Sequence, residues 1–312
     1  MENLKFKNPV FVTRPLLPSI DEYGKRIKEI WENKWLTNHG PLEQELQLKL
    51  KKFLGVKNIE LFANGHISLE LAIKTLNLTG EIITTPFTFA STTQSIINNG
   101  LTPVYADIDE EYYNLNPDNI EELITDKTTA IMPVHVFGNP CEVEKIDKIA
   151  KKYDLNVIYD AAHAFNVSIN EIPIGNYGDL SMFSFHATKV FNTVEGGALV
   201  FENDDFNYRL KSIKNFGITP DTEEVQFLGQ NGKMNEFEAA MGIVNLENVE
   251  NAISKRKQLY EKYLESLSYL ENNSKVKVIR PKDNVDYNYA YFTIKLNSNK
   301  ERDYIFDKLL CQ

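Results

Sequence analysis

The sequence predicts an α/β fold: a large, mostly parallel sheet with helices on both faces, followed by a smaller C-terminal α+β domain. Three observations carry this. Short β-rich runs alternate with helical ones from about residue 59 onward, as expected when parallel strands are joined by crossover helices. From about residue 236 that alternation gives way to long helical stretches and then two strand-like pieces. The 312 residues, 42% hydrophobic and 11% aromatic, suffice for one large core and a smaller second one.

Residues 19 to about 53 read as helical, with Ile20, Ile27 and Ile30, then Leu42, Leu46 and Leu50, on buried stripes. Asn38-His39-Gly40-Pro41 forms the turn between them. Strands are expected at IELFA near 59, EIITT near 81, TPVYAD near 102, AIMPVHVF over 130–137, NVIYD over 156–160, SMFSF over 181–185 and ALVF over 198–201. Helices are expected at about 66–77, 90–98 and 141–152. Such a sheet is buried on both faces and takes ligands where its strands end. The large domain is assigned to residues 1–240 and the small one to 241–312, with VKVIR, YAYFTIKL and a last helix from Lys300. That helix meets the terminus without a stop signal, so the small domain is expected to be incomplete.

A net charge of -10 argues against broad binding to nucleic acid or anionic membranes, because no basic surplus exists to neutralise phosphates. Cys141 and Cys311 make neither a disulfide framework nor a metal site, which suits a reducing cytoplasm. MENLKFKNPV lacks the apolar stretch of a signal peptide, and no run approaches a membrane span.

Two segments look chemical. VIYDAAH places Asp160 at the carboxyl end of a buried strand, with His163 just beyond. Alone, Asp160 reads equally as the cap of the next helix. SMFSFHATK runs an apolar strand into Lys189, and Glu195-Gly196-Gly197 follows before a new strand. A strand-end lysine is ordinarily a surface residue, but paired glycines let the backbone pass close to a neighbour. A lysine in a partly dry pocket can lose its proton and attack an aldehyde. Pyridoxal phosphate requires that amine, together with a carboxylate at its pyridine nitrogen; Lys189 and Asp160 meet both demands. Its phosphate needs a seat, and Asn64-Gly65-His66-Ile67 lies between a strand and a helix whose first N–H groups attract anions, although it also reads as a plain turn. Ser184 adds a hydroxyl. Phe89, in Pro86-Phe87-Thr88-Phe89, either covers the pyridine ring or belongs to the core.

These motifs resemble the DegT/DnrJ/EryC1/StrS sugar aminotransferases. The likeness spans about residues 35 to 250, through ITTPFTFASTT, TPVYADID, TTAIMPVHVFGNP, VIYDAAHAF, GDLSMFSFHATKVFNTVEGGALVF and NGKMNEFEAAMG. It implies the type I aspartate-aminotransferase fold, with pyridoxal 5'-phosphate held covalently on Lys189 and pyridoxamine 5'-phosphate as its alternate form. It further implies Asp160 at the pyridine nitrogen, His163 near the phenolic oxygen, Phe89 stacked on the ring and Ser184 at the phosphate. Asn231 would reach the phosphate of a neighbouring subunit, which makes the active unit a homodimer with shared sites. Two departures stand out: Asn64-Gly65-His66 replaces the family's usual Ser-Gly-Thr turn, so backbone amides of Gly65, His66 and Ile67 would carry the phosphate, and His163 replaces its usual Gln.

FHATKVFNTVEGGA and NGKMNEFEAAMG look most like family members that make dTDP-4-amino-4,6-dideoxyglucose for cell-surface polysaccharide. The implied reaction takes an amino group from L-glutamate and gives it to a nucleotide-linked 4-keto-6-deoxy sugar. Amination at C3 or on another nucleotide is the alternative. His186 either touches the sugar or fills space, and Lys233 and Arg280 either contact the pyrophosphate or solvate the surface. His135 reads as core. A related sugar 3-dehydratase would carry histidine in place of Lys189, and a non-catalytic binding protein of the same fold remains a rival. A nicotinamide-binding α/β protein is disfavoured, since no G-x-G-x-x-G turn follows the first strand.

Overall fold

The computed structural model describes residues 8–310. Cys311 and most of the MENLKFKNPV segment lie outside the described residues.

The chain opens with α1 (Ile20–Asn33) and α2 (Pro41–Leu54). Ser19 caps α1 by accepting from the Asp21 amide, and Pro41 starts α2 at a position whose N–H would have no helical partner anyway. Leu42, Leu46, Leu50 and Leu54 recur every fourth residue and are all buried. Ile30 is buried as expected, whereas Ile20 is 78% exposed. Ile20 is the first helical residue, ahead of the stretch where α1 meets the core, so its place on the stripe does not bury it.

β1 (Asn58–Phe62), α3 (Gly65–Thr75), β2 (Glu81–Thr84), α4 (Ala90–Asn98) and β3 (Thr102–Tyr105) follow. Next come β4 (Thr128–Ile131), α5 (Val143–Tyr153) and β5 (Asn156–Asp160). A short excursion of β6 (Ser168–Ile169) and β7 (Ile172–Pro173) precedes β8 (Leu180–Ser184), β9 (Gly197–Phe201) and α6 (Phe206–Ile213). The seven long strands lie in the order β1-β9-β8-β5-β4-β2-β3, with β9 antiparallel to both neighbours and every other pairing parallel.

Alternate residues of each strand face opposite cores. Ile59, Leu61, Ile131, Val157, Tyr159 and Phe183 pack with the leucines of α2 and with Ile146 of α5. Phe62, Ile82, Ala130, Ile158, Met182 and Leu199 pack with Leu69 and Ala72 of α3 and Ile96 of α4. Covering on both faces explains why the strands read as nearly continuous apolar runs.

One expectation needs correction. The strand read over 130–137 ends at Ile131. Pro133 has no N–H to continue the ladder, only Val134 bridges on to Asp160, and the chain then turns at Val136–Gly138, where Phe137 adopts φ 56° and Gly138 φ 89°. A Cβ on Gly138 would stand 2.8 Å from the His163 carbonyl oxygen, so only glycine fits there.

The 37-residue helix α7 (Glu236–Asn272) starts in a complete capping box of Asn235 and Glu238. Residue 240 lies in its second turn. Beyond α7, β10 (Val276–Ile279) pairs antiparallel with β12 (Thr293–Leu296), β11 (Val285–Asp286) returns to β6, and α8 (Asn299–Leu310) follows. No described helix is long and apolar enough to cross a membrane.

Candidate active site

β1, β5 and β8 run in one direction, so their carboxyl ends lie along the same edge of the sheet. Asp160 closes β5 in the middle of that edge, Ser184 closes β8 beside it, and Asn64 follows β1. Gly197, which starts β9, is paired with both Phe62 and Ser184. A Cβ there would lie 2.6 Å from the Asn64 carbonyl carbon, so the glycine pair expected to allow close approach does so.

Asp160 is buried, with 4% of its surface exposed. Thr92 of α4 donates its hydroxyl to Oδ2 at 2.7 Å, and the Ala162 amide donates to Oδ1 at 3.1 Å. Both donors are neutral. Burial raises the carboxyl's pKa, these hydrogen bonds oppose the rise, and the nearby Lys189 charge opposes it further. Lys189 sits in the turn after β8, where its amide donates to His186 O at 2.9 Å and the buried Val190 and Phe191 anchor the following residues. Burial lowers the Lys189 pKa, with the Asp160 charge acting in the other direction. Lys189, half-buried and with its proton loosened, lies within electrostatic reach of the buried Asp160 carboxylate and faces a small cleft.

Thr188, Lys189, Val190, Ala162, His163, Phe165, Ala290 and Tyr291 line that cleft. Burial pushes His163 down to about 3, so it is neutral there. Its Nε2 lies 3.4 Å from the Tyr291 hydroxyl. A wider cavity of about 370 Å³, between the end of α2 and the β6–β7 hairpin, contains none of the predicted site residues.

At the other end of the site, Asn64 caps α3 by accepting from the Ile67 amide at 2.9 Å. Of the three amides expected to hold a phosphate, Ile67's is therefore already engaged; among the described residues, those of Gly65 and His66 have no acceptor. Gly65 lies directly on β8, since a Cβ would come within 3.1 Å of Met182 Sδ and Ser184 Cβ. The His66 ring turns along the surface, Nδ1 at 2.9 Å from Ser91 Oγ and Nε2 at 3.3 Å from Glu70. Phe89, at the start of α4, is 80% exposed. It is not core, and its ring stands free three residues before Thr92.

The His186 backbone joins Ser184 and Lys189, but its ring faces outward, and Asn231, Lys233 and Arg280 lie apart. His186 is exposed, with Nδ1 at 2.9 Å from Thr188 Oγ1 and Nε2 at 3.6 Å from Glu195. Lys233 donates to Asn231 Oδ1 at 2.8 Å on the loop before α7, and no contact among the described residues joins Asn231 to Ser184 or Lys189 in the single chain. Arg280 is engaged by Glu271 at 2.6 Å, a pairing that lowers the Glu271 pKa to about 2. His135 is fully buried and stacked on Tyr159, as the core reading expected.

The residues present suit pyridoxal phosphate: a buried carboxylate with only neutral donors, an exposed aromatic ring, a lysine with a lowered pKa, and two free amides beside a serine. The comparisons with known proteins agree. Residues 19–311 match the model of the DegT/DnrJ/EryC1/StrS aminotransferase family. The chain belongs to that family. It is 43% identical over 305 residues to the dTDP-4-amino-4,6-dideoxy-D-glucose transaminase of Shigella dysenteriae, covering 97% of this chain and 82% of the relative. It is 30% identical over 291 residues to the GDP-perosamine synthase of Escherichia coli O157:H7, covering 91% and 79%. The crystal structure of DesI in the presence of its TDP-sugar product superposes with a TM-score of 0.92 at 32% identity, covering 97% of this chain and 77% of that one. The family's aminotransferases depend on pyridoxal phosphate. The expected aminotransferase fold and cofactor class thus hold.

Sequence reading missed Thr92, Asn288 and Tyr291. Asn288, wholly buried, donates to the carbonyls of His163 and Phe165 at 2.9 and 2.8 Å. The only sequence signal was the aromatic run Tyr287-Asn288-Tyr289-Ala290-Tyr291 beside a helix-rich stretch.

Proposed function

We propose that this chain is a nucleotide-sugar aminotransferase that takes the amino group of L-glutamate and places it on C4 of a dTDP-linked 4-keto-6-deoxy sugar. The observation that carries the reading is a buried Asp160 at the end of β5 within electrostatic reach of Lys189, a half-buried lysine whose pKa is lowered and which lines the neighbouring cleft with His163. The sugar and nucleotide follow the relatives that share 43% identity over almost the whole chain. The relative named for GDP-perosamine, at 30% identity, keeps a GDP-linked sugar as a second reading.

When bound, the cofactor supplies an electron-withdrawing ring that accepts the charge developed at the amino-bearing carbon. The protein's part is then specific. Asp160 would hold a proton on the ring nitrogen, and Thr92 and the Ala162 amide fix the carboxylate's direction. Phe89 offers a flat apolar surface against one ring face. Gly65, His66 and Ser184 receive the phosphate at the start of α3, where the helix dipole favours negative charge. Lys189 would hold the cofactor through its amine and would move a proton at the amino-bearing carbon of the substrate, as general base and then general acid. Retention of lysine at this position supports transamination over dehydration.

Asn231 and Lys233 are exposed or half-exposed on one loop. We assign them to the neighbouring site of a homodimer, Asn231 toward the phosphate and Lys233 toward the sugar pyrophosphate, with His186 at the sugar entrance. In this reading the enzyme works in the cytoplasm on a precursor of cell-surface polysaccharide.

The test is direct. Purified chain loaded with pyridoxal phosphate should lose its visible-edge absorbance on glutamate addition, and a panel of dTDP- and GDP-linked 4-keto sugars should then restore it. Mass spectrometry and NMR of the product locate the nitrogen. A product without nitrogen, or no spectral response to glutamate, would overturn the proposal.

A further inference from the structure

Tyr291 enters the site from the far end of the chain and is held there from several sides. Asn288 grips the carbonyls flanking Ala164 and also accepts from the Ala290 amide at 3.0 Å, so one buried side chain fixes both the loop bearing His163 and the backbone leading to Tyr291. Arg256 of α7 donates to Ala290 O at 3.3 Å. Tyr287 donates to Phe137 O at 2.6 Å, and the Phe137 ring packs 5.7 Å from that of Tyr291. The Tyr291 ring is 4.8 Å from the His163 ring, with its hydroxyl 3.4 Å from Nε2.

We propose that Tyr291 is a positioning residue that sets the tautomer of His163: its phenol donates to Nε2, which leaves Nδ1 as the only donor of the ring. The inference rests on reading the Lys189 cleft as the cofactor site, where His163 would meet an oxygen acceptor. A phenol donates better than it accepts, and a neutral imidazole has one bare nitrogen and one N–H. Burial keeps both groups neutral, raising the Tyr291 pKa and lowering that of His163. Long hydrogen bonds of this kind tighten when a ligand fills the site. Tyr291 thereby makes the donor capacity of His163 depend on docking of the segment that follows α7.

Nitrogen-15 NMR of histidine-labelled protein, alone and loaded with pyridoxal phosphate, reads the tautomer directly, with His163→Gln assigning the signal. The expected result is a protonated Nδ1 at His163 and mixed tautomers in Tyr291→Phe. A protonated Nε2 in the unmodified chain, or an unchanged tautomer in Tyr291→Phe, would overturn the proposal. As a second readout, Tyr291→Phe should weaken pyridoxal phosphate binding by about 3- to 10-fold, the size of one hydrogen bond, but not when His163 is already Gln. Equal weakening in both backgrounds would reduce Tyr291 to a structural residue and sink the idea. Failure of the cofactor to bind at all would count against the proposed function, while the tautomer measured on the unloaded chain still decides this proposal.

Discussion

Thr92 and Asp160, separated by 68 residues, meet at 2.7 Å through a hydroxyl-to-carboxylate hydrogen bond. The contact ties the first turns of α4 to the end of β5, and Thr88 lies 2.7 Å further along the same chain of hydroxyls. Because Phe89 caps the start of α4, the residue that would flank the cofactor ring and the residue that would grip its nitrogen are held in one rigid unit. Burial makes this carboxylate reluctant to stay charged, so each donor aimed at it matters.

Replacing Thr92 by Val keeps the shape and removes the donor. A hydrogen bond to a charged group contributes about 1.5–3 kcal/mol, so pyridoxal phosphate affinity should fall by roughly 10- to 100-fold. Equilibrium binding followed by fluorescence, with circular dichroism to confirm the fold, measures it. Unchanged affinity would remove Thr92 from the site.

Lys189→Ala should abolish turnover and borohydride trapping of the cofactor together. Asp160→Asn should keep the trapping, since Lys189 remains, yet lower the rate by at least ~10- to 100-fold through loss of a charge-assisted contact. Peptide mass mapping after reduction separates the two variants. Cofactor trapped at another lysine would refute the assignment.

The candidate site was legible where its residues end or follow apolar strands. Asp160 ends an apolar strand and Lys189 follows the next one after a short turn, and Gly196-Gly197 announced the close approach that the pairing of Gly197 with both Phe62 and Ser184 requires. Thr92 and Tyr291 were not legible, because their meaning lies in partners 68 and 128 residues away. The end of β4 was misjudged for a local reason: AIMPVHVF is apolar but for His135, and only Pro133 marks where the ladder stops. The Asn64 segment was read as a phosphate seat or a plain turn, and neither reading saw that the Asn64 side chain uses the Ile67 amide assigned to the phosphate.

Lys214 is buried between Glu43 and Glu60, with Nζ at 2.9 Å and 2.5 Å from their oxygens and 3.1 Å from the Leu61 carbonyl. Lys214→Met would leave two carboxylates in the core without a counter-charge. Breaking such a buried arrangement costs about 3–5 kcal/mol, so the melting temperature should fall sharply. Adding Glu43→Gln and Glu60→Gln to the variant should recover part of it. A melting temperature unchanged in Lys214→Met would show that the cluster contributes nothing.

Glu238 closes the capping box of α7, accepting from the Asn235 amide at 3.2 Å. Its pKa is nevertheless raised to about 7, from an ordinary 4.5, by burial first and by the charge of Glu195 in addition. A carboxyl with a raised folded value binds its proton more tightly in the native chain than in the unfolded one. The resulting stabilisation is full below about pH 4.5 and is lost as pH rises through about 7. Gln retains the capping geometry without the charge. Glu238→Gln should therefore match the unmodified chain near pH 4.5 but exceed it above pH 7, by on the order of 1 kcal/mol once solvent screening of this half-buried group is allowed for. Urea unfolding at the two pH values measures the difference, and an equal gap at both would mean that Glu238 titrates alike in the folded and unfolded chain.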